Sequence, residues 1–534
     1  MIDAPGGAAP ALDPSEAPGA QRKSVVPMLA TLAALALTWT AAALGAAPAA
    51  ALLAASVLIP LAALAHGLRV GWVHGPTARR VGALGGPVVL AMLSQAAINV
   101  VDMLFIGRLP AEVALPGTAA IGVSLPVFWL VGGFLSAIGT GTQALTARRI
   151  GAGDDLGAGQ TLTTGATLAI VLGLTFSALG YAVLPYALPF FNADPGVLEQ
   201  GVPFARIRYL GISSMVITAA YKAFFDATGR THVHMVAAIV MNVANFVLCY
   251  GLIFGELGMP RLEVAGAAWA STLSSLIGTF VVIGWTFVPS LRARYGLYGK
   301  GTLSGALLRR IVSLSLPSGA TQIVVMTGFL FFHKAVGALD AARTDGLAVN
   351  ASATAVIQQL VILLGIVSLA FATATATLVS QSMGAKAPER AARYGWESAK
   401  LGVLVMAIVV GGLVTYPELV LGAFMKSGQL GDGGKTLAVA AGVAPLRLIS
   451  ASAVFIVAAL VFTQALYGAG NTKFVMLVEL VLHLTCLVPL AWLFGVVWGG
   501  GLVGVWASAG LYVLLSAAIM GAKFAEGRWK TIEL

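Results

Sequence analysis

Apolar runs of about 20 residues, parted by short polar or Gly/Pro-rich breaks, recur along the chain, and a run of that length predicts a transmembrane helix. Twelve are placed at about 83–107, 118–145, 160–188, 203–226, 233–254, 265–288, 311–336, 350–380, 399–424, 437–467, 474–495 and 500–522. Ahead of them an apolar stretch runs from near Val25 past Pro60, too long for a signal peptide. It predicts two extra helices, about 25–46 and 49–68, broken around Gly45–Pro48, with a single uncleaved anchor as the alternative. Some runs exceed one bilayer crossing, so tilt or protruding ends are expected. Residues 1–23, rich in Ala, Pro, Gly and acid, read as a disordered tail.

Basic residues alternate between the two sets of connections. Arg69, Arg79, Arg80, Arg148, Arg149, Arg230, Arg292, Arg294, Lys300, Arg309, Arg310, Lys386, Arg390, Arg393, Lys473, Lys523, Arg528 and Lys530 fall on one side. Arg108, Arg261, Arg343, Lys426 and Lys435 fall on the other. The richer side is cytoplasmic. The expected organisation is therefore a cytoplasmic tail (1–23), extra transmembrane helices (24–70), a six-helix N-lobe (80–288), a cytoplasmic linker (289–310), a six-helix C-lobe (311–523) and a cytoplasmic tail (524–534). The fold class is all-α and polytopic, in the plasma (inner) membrane of the cell.

Composition agrees: of 534 residues 58% are hydrophobic and only 10% charged, against roughly 25% charged in a soluble domain. A net charge of +10 reflects cytoplasmic anchoring rather than nucleic-acid binding, because the basic patches lack interleaved aromatics. The two cysteines, Cys249 and Cys486, both lie in apolar runs and offer no disulfide framework or metal spacing. No phosphate-binding G-x-x-x-x-G-K-[ST] loop is present, so this chain does not itself drive transport with ATP. Nor is there a G-x-S-x-G nucleophile elbow or a His/Asp cluster, so an enzyme, such as a membrane-embedded head-group transferase, is disfavoured. No cofactor or metal is expected.

The chain repeats itself. "LTARRIGAGD" (145–154) is answered by "LVSQSMGAKA" (378–387), "DATGRTH" (226–232) by "LYGAGNTK" (466–473), and "AGAAWAS" (265–271) by "VGVWAS" (503–508), while Pro87, expected to open the third helix, pairs with Pro317, expected to open the ninth. The matches keep their order at an offset of about 235 residues, as two parallel six-helix repeats about an axis along the membrane normal require.

These repeats, with "NVVDMLFIGRL" fifteen residues downstream of Pro87, "TQALTARRIGAGD", "FDATGRT", "NFVLCYGLIFGELGMPRLEVAGAAWAS", "LSLPSGATQ", "ATATLVSQSMGAKAPERAARYG" and "ALYGAGNTKF", resemble the multidrug and toxin extrusion (MATE) family over about residues 80–525. The resemblance implies two six-helix lobes that alternate between outward-open and inward-open forms. It implies export of amphiphilic, cationic organic molecules in exchange for protons, or for sodium, with the lipid bilayer and a small-molecule substrate as partners and the chain acting as a monomer. A lipid-linked oligosaccharide flippase of the wider superfamily is the runner-up. It would require more Arg and Lys within the spans. A non-transporting sensor that kept the fold is less favoured because Asp102 is retained.

Candidate residues follow. Asp102 is a carboxylate in an apolar run, and an acid inside a membrane helix is costly and by default functional. Asn99 lies on its face, three residues before it. The alternative pairs Asp102 with Arg108 at the outer interface. The resemblance implies that Asp102 binds the coupling ion, with Pro87 as a bending point. Asn242 and Asn245 share a helix face, and the alternative role for them is interhelical hydrogen bonding. In the DinF-like branch of the family the pattern is Asn-x-x-x-Asp. Asn245 matches, but Cys249 stands in place of the Asp, which weakens a multi-carboxylate sodium site and favours a proton. Ser271 takes the place of a small hydroxyl. The NorM-like branch carries a Glu where this chain has Val325, and Gln322 is the nearby polar residue. The expected ion-coupling set is thus Asp102, Asn99 and Asn245, with Asn242, Cys249, Ser271, Gln322 and Lys334 on the substrate cavity. Lys334, beside His333, either faces Asp102 or snorkels outward. Glu479 and His483, four apart, form either a structural pair or a second proton site.

Overall fold

The computed structural model describes residues 26–45, 48–191, 194–299, 303–425 and 431–533. Side chains at 95–103, among them Asn99 and Asp102, and at the helical positions 26, 29, 43, 111, 115, 123, 190, 191, 431 and 432 lie outside the description, as does the predicted tail 1–23. All regular structure among the described residues is helical.

Two helices lead, α1 (Val26–Ala43) and α2 (Ala49–Arg69). The first half follows as α3 (Gly75–Ile106), α4 (Ala111–Ser136), α5 (Ile138–Gly151), α6 (Asp155–Phe191), α7 (Pro195–Ala227), α8 (His232–Phe254) and α9 (Glu263–Trp285). A short helix, α10 (Pro289–Tyr295), sits in the linker between the halves. The second half comprises α11 (Gly305–Ala341), α12 (Val349–Gly384), α13 (Pro388–Thr415), α14 (Pro417–Phe424), α15 (Gly431–Gly468), α16 (Thr472–Leu482), α17 (Val488–Trp492) and α18 (Gly501–Glu526). α4 and α5 form one crossing interrupted at Ala137, and α16 and α17 form another with π-helical turns at His483–Leu487 and Leu493–Val497. Eleven crossings among the described residues are long and apolar enough to span a bilayer. α7 is equally long but carries Arg206, Arg208, Lys222 and Asp226.

Local chemistry explains several boundaries. Asp194 caps α7 by accepting from the Gly196 and Val197 amides at 2.8 and 3.3 Å, with Pro195 following at the first helical position. Ser304 caps α11 by accepting from Leu307 N–H. Pro87 and Pro317 differ from the sequence reading. They do not open their helices, since α3 and α11 begin at Gly75 and Gly305, about three turns earlier in each case. One missing amide donor is tolerated inside a packed membrane helix.

The two halves repeat in backbone detail. Arg230 N–H donates to Phe225 O at 2.8 Å and Asn471 N–H to Leu466 O at 2.8 Å, after glycines (Gly229, Gly470) with φ of +78° and +91°. Asp154 N–H donates to Arg149 O and Ala387 N–H to Ser382 O, but here the left-handed residue is Gly153 in one half and Lys386 (φ +53°) in the other.

α1 and α2 precede the N-lobe in sequence but dock on the C-lobe. Leu35 and Trp39 enter the core formed by α12, α13, α15 and α18, and Ser56 packs on Gly411 of α13. Trp39 Nε1 donates to Ser56 Oγ at 3.1 Å, joining the pair. In lipid such docking is driven by packing and interhelical hydrogen bonds rather than by escape from water. The elbow before α3 is held by α13. Glu397 accepts from His74 N–H at 2.9 Å, and Lys400 Nζ donates to Trp72 O at 2.9 Å and to Glu397 at 3.0 Å.

Candidate substrate and ion-coupling site

Three helices of the N-lobe meet around the predicted polar residues. Asn242 on α8 donates to Ser94 Oγ on α3 at 2.6 Å and to Ala238 O at 2.7 Å. Asn245, one turn on and buried, donates to Ser271 Oγ on α9 at 3.3 Å. The two amides thus bind α8 to α3 on one side and to α9 on the other. α3 also carries Asn99 and Asp102, whose side chains lie outside the described residues. Cys249 is fully buried in a cluster with Phe105, Ile106, Leu252 and Val264 and is not among the residues lining the N-lobe pocket. Its size and polarity suit that cluster better than a carboxylate would.

An N-lobe pocket of about 100 Å³ opens between α4, α7, α8 and α9. Its wall includes Phe128, Trp129, Arg208, Ser214, Thr218, His234, Met241 and Ser275. Arg208 is 7% exposed and lies 4.8 Å from the Phe128 ring centroid. His234 is buried, and its Nδ1 has no hydrogen-bond partner among the described residues. Arg206, on the other face of α7, lies over the Tyr181 ring and donates to Tyr181 O at 3.1 Å. Sequence reading passed over Arg206, Arg208 and His234. The signal was present, because two arginines within a span read as 203–226 demand a partner or a cavity.

The remaining predicted residues belong to the second half. Gln322 on α11 packs across the lobe boundary, its Cγ 3.0 Å from where a Cβ on Gly133 of α4 would stand. Lys334 is exposed and borders a groove between α11 and the α16–α17 run with Phe331, Val488, Pro489 and Trp492. It is not gathered with Gln322 in a described pocket. In the first half Lys222 and Asp226 form an ion pair at 2.6 Å, and in the second Arg447 donates to Val414 O at 3.3 Å near a helix end.

A set of contacts between the lobes joins α5 and the end of α7 to α12. Gly151 on α5 abuts Gln381 O, and Gly384 on α12 abuts Arg148 O. Gln143 donates to Thr377 Oγ1 at 3.0 Å, Thr377 Oγ1 to Asp226 O at 3.2 Å, and Gln381 Nε2 to Ala227 O at 2.7 Å. These contacts close one end of the two lobes against each other.

Two pseudo-symmetric helical lobes, closed against each other at one membrane face, define a two-lobe membrane transporter rather than an enzyme. A family model described as MatE matches residues 87–251 and 317–493, and the chain belongs to this MATE family. A "Probable multidrug resistance protein NorM" of Thermotoga maritima is 24% identical over 83% of this chain and 90% of its own length. A protein of the same name from Pseudomonas aeruginosa is 27% identical over 84% and 89%. Among solved structures, an "outward-facing conformation of a multidrug resistance MATE family transporter" covers 85% of this chain and 97% of its own, with TM-score 0.75 and 20% identity. A Pyrococcus furiosus transporter described as having a "reverse polarity of binding pocket" covers 85% and 95%, with TM-score 0.75 and 21% identity.

Proposed function

We propose that this chain is an efflux antiporter that exports amphiphilic organic cations in exchange for protons, working as a single chain by alternating access between its lobes. The observation that carries the reading is the pseudo-symmetric seal at Gly151–Gln381 and Gly384–Arg148, which closes one membrane face in the manner two-state lobes require. The multidrug-resistance names of its relatives support the substrate class. Asp102 is the proposed proton site, with Asn99 and Asn245 beside it in the coupling region and Asn242, Ser271, Gln322 and Lys334 toward the substrate path. Asn245, which matches the Asn of the DinF-like Asn-x-x-x-Asp pattern from which Cys249 departs, supports reading the ion site as nearer that arrangement, while the relatives cited above carry NorM names. Coupling requires that substrate affinity differ between the protonated and deprotonated states.

The test uses the purified chain in proteoliposomes with ethidium as probe, under proton and sodium gradients imposed separately. A proton gradient should drive ethidium movement, and Asp102→Asn should abolish it while insertion is retained. Movement under sodium alone, or an unchanged rate in the variant, overturns the assignment.

A second reading, export of a compound bearing an acidic or phosphate group, is favoured by the buried Arg208 and by His234 on the N-lobe pocket wall. Competition by an aromatic carboxylate in the same assay, lost in Arg208→Gln, would support it.

A further inference from the structure

Glu479 lies on α16, 7% exposed, inside the C-lobe. Its carboxylate accepts from Tyr512 O–H at 2.5 Å and from Ser516 O–H at 3.4 Å, both on α18. His483, one turn on and 2% exposed, has Nδ1 at 2.8 Å from Glu479 O and at 3.7 Å from its Oε2. The His483 ring stacks edge-on to Tyr512, centroids 4.8 Å apart. Tyr467 of α15 and Cys486 of the same π-helical turn complete the ionisable groups facing this cluster, and α11 presents Thr321 and Gly328. Among the described residues, no Lys or Arg forms an ion pair with Glu479.

A carboxylate inside a membrane lobe without a Lys or Arg needs a counter-charge. The smallest available is a proton, held on the carboxyl or on His483. His483 also begins a π-helical turn, a local insertion found mostly where a helix serves a function. The turn gives the imidazole a seat between two acceptors of one residue, the main-chain carbonyl and the carboxylate of Glu479.

We propose that Glu479 and His483 form a second proton-exchange site, in the C-lobe, whose state is read by α11. This rests on the proton-coupled reading above and extends it to the second half. The route is short. The His483 ring rests on Gly328, where any Cβ would overlap it. Tyr467 O–H donates to Thr321 Oγ1 at 3.4 Å, and the next residue, Gln322, meets Gly133 across the lobe boundary. Nδ1, 2.8 Å from a main-chain carbonyl, already carries a hydrogen, so the exchangeable proton is the one on the Glu479 carboxyl; when that proton leaves to solvent, the acid becomes a carboxylate and the ring stays neutral. Nδ1–H then turns from the main-chain carbonyl toward Oε2, and the ring shifts against α11.

Infrared difference spectroscopy of the reconstituted chain through a pH titration tests this without any transport assay, so its outcome is separable from that of the efflux reading. A protonated-carboxyl C=O band should titrate, be lost in Glu479→Gln and persist in Asp102→Asn. Tyr512→Phe, which leaves the carboxyl in place and removes one hydrogen bond, should shift that band and serves if Glu479→Gln fails to insert. A carboxyl spectrum unchanged by Glu479→Gln, or a band unmoved by Tyr512→Phe, overturns the proposal.

Discussion

Gly151 meets the Gln381 carbonyl in the same way that its repeat partner Gly384 meets the carbonyl of Arg148, the residue aligned with Gln381. The contact is thus isologous within one chain, each half presenting the same patch to the other across the pseudo-twofold axis.

Alanine at either glycine should pry this seal apart, since its Cβ would overlap backbone that cannot rotate away. Overpacking of this kind costs about 1–3 kcal/mol, enough to shift a two-state balance by roughly 5- to 150-fold. The readout is maleimide labelling of Thr377→Cys, a position 1% exposed in the sealed form. Labelling should accelerate in the Gly151→Ala background, and an unchanged rate would mean that the glycines do not hold the closed face.

The left-handed position after this crossing makes a paired prediction. Gly153→Ala should lower the thermal midpoint in detergent, because a left-handed residue with a Cβ costs about 1–2 kcal/mol. Lys386→Gly, at the equivalent site, should leave the midpoint unchanged or raise it. A fall with Lys386→Gly would show that the lysine side chain contributes more than its backbone strain removes.

At the elbow, Glu397→Gln leaves Lys400 buried beside a neutral amide, and breaking a buried pair costs about 3–5 kcal/mol. Limited proteolysis between Val70 and His74 should become faster. Replacing both residues by leucine should not restore the resistance, because it also removes the bonds to His74 N–H and Trp72 O; recovery in that double variant would mean that the pair does not hold the elbow.

Asp345, in the loop between α11 and α12, is held below the usual carboxylate range by its hydrogen bond to Arg343 and then by the Leu347 amide. Its folded value is depressed, so any stabilisation it gives is present above the unfolded value of about 4 and is lost only as pH falls through the lower folded value. Asp345→Asn should therefore leave the pH profile of ethidium exchange between pH 5 and 8 unaltered, whereas Asp102→Asn should remove it.

Spans and repeats were legible because each crossing must satisfy its own backbone in lipid, which leaves a long apolar run in the sequence. The starts of α3 and α11 were not, because Gly75–Gly86 and Gly305–Leu316 mix glycine, arginine and apolar residues beyond the bilayer-length signal. Two arginines within one span signal a partner or a cavity, but that Arg208 and His234 meet depends on which helices surround them, and no spacing along one chain encodes that α4, α7, α8 and α9 share a pocket. Asn242 and Asn245 were found as a pair, but only packing reveals that they reach toward opposite neighbours. The hydroxyls of Tyr512 and Ser516 were likewise silent until α18 lay beside Glu479.

The docking of α1 and α2 on α13 alters the connectivity of the machine. Since that hairpin belongs in space to the C-lobe, the polypeptide passes between the two bodies twice, once at His74–Gly75 and once through α10 and the linker. A single cut in the linker would part the chain into two fragments, yet the N-lobe would stay tethered to the C-lobe through the hairpin packed on α13, which makes the elbow at Trp72–His74 a second joint between a six-helix body and a larger, eight-helix frame.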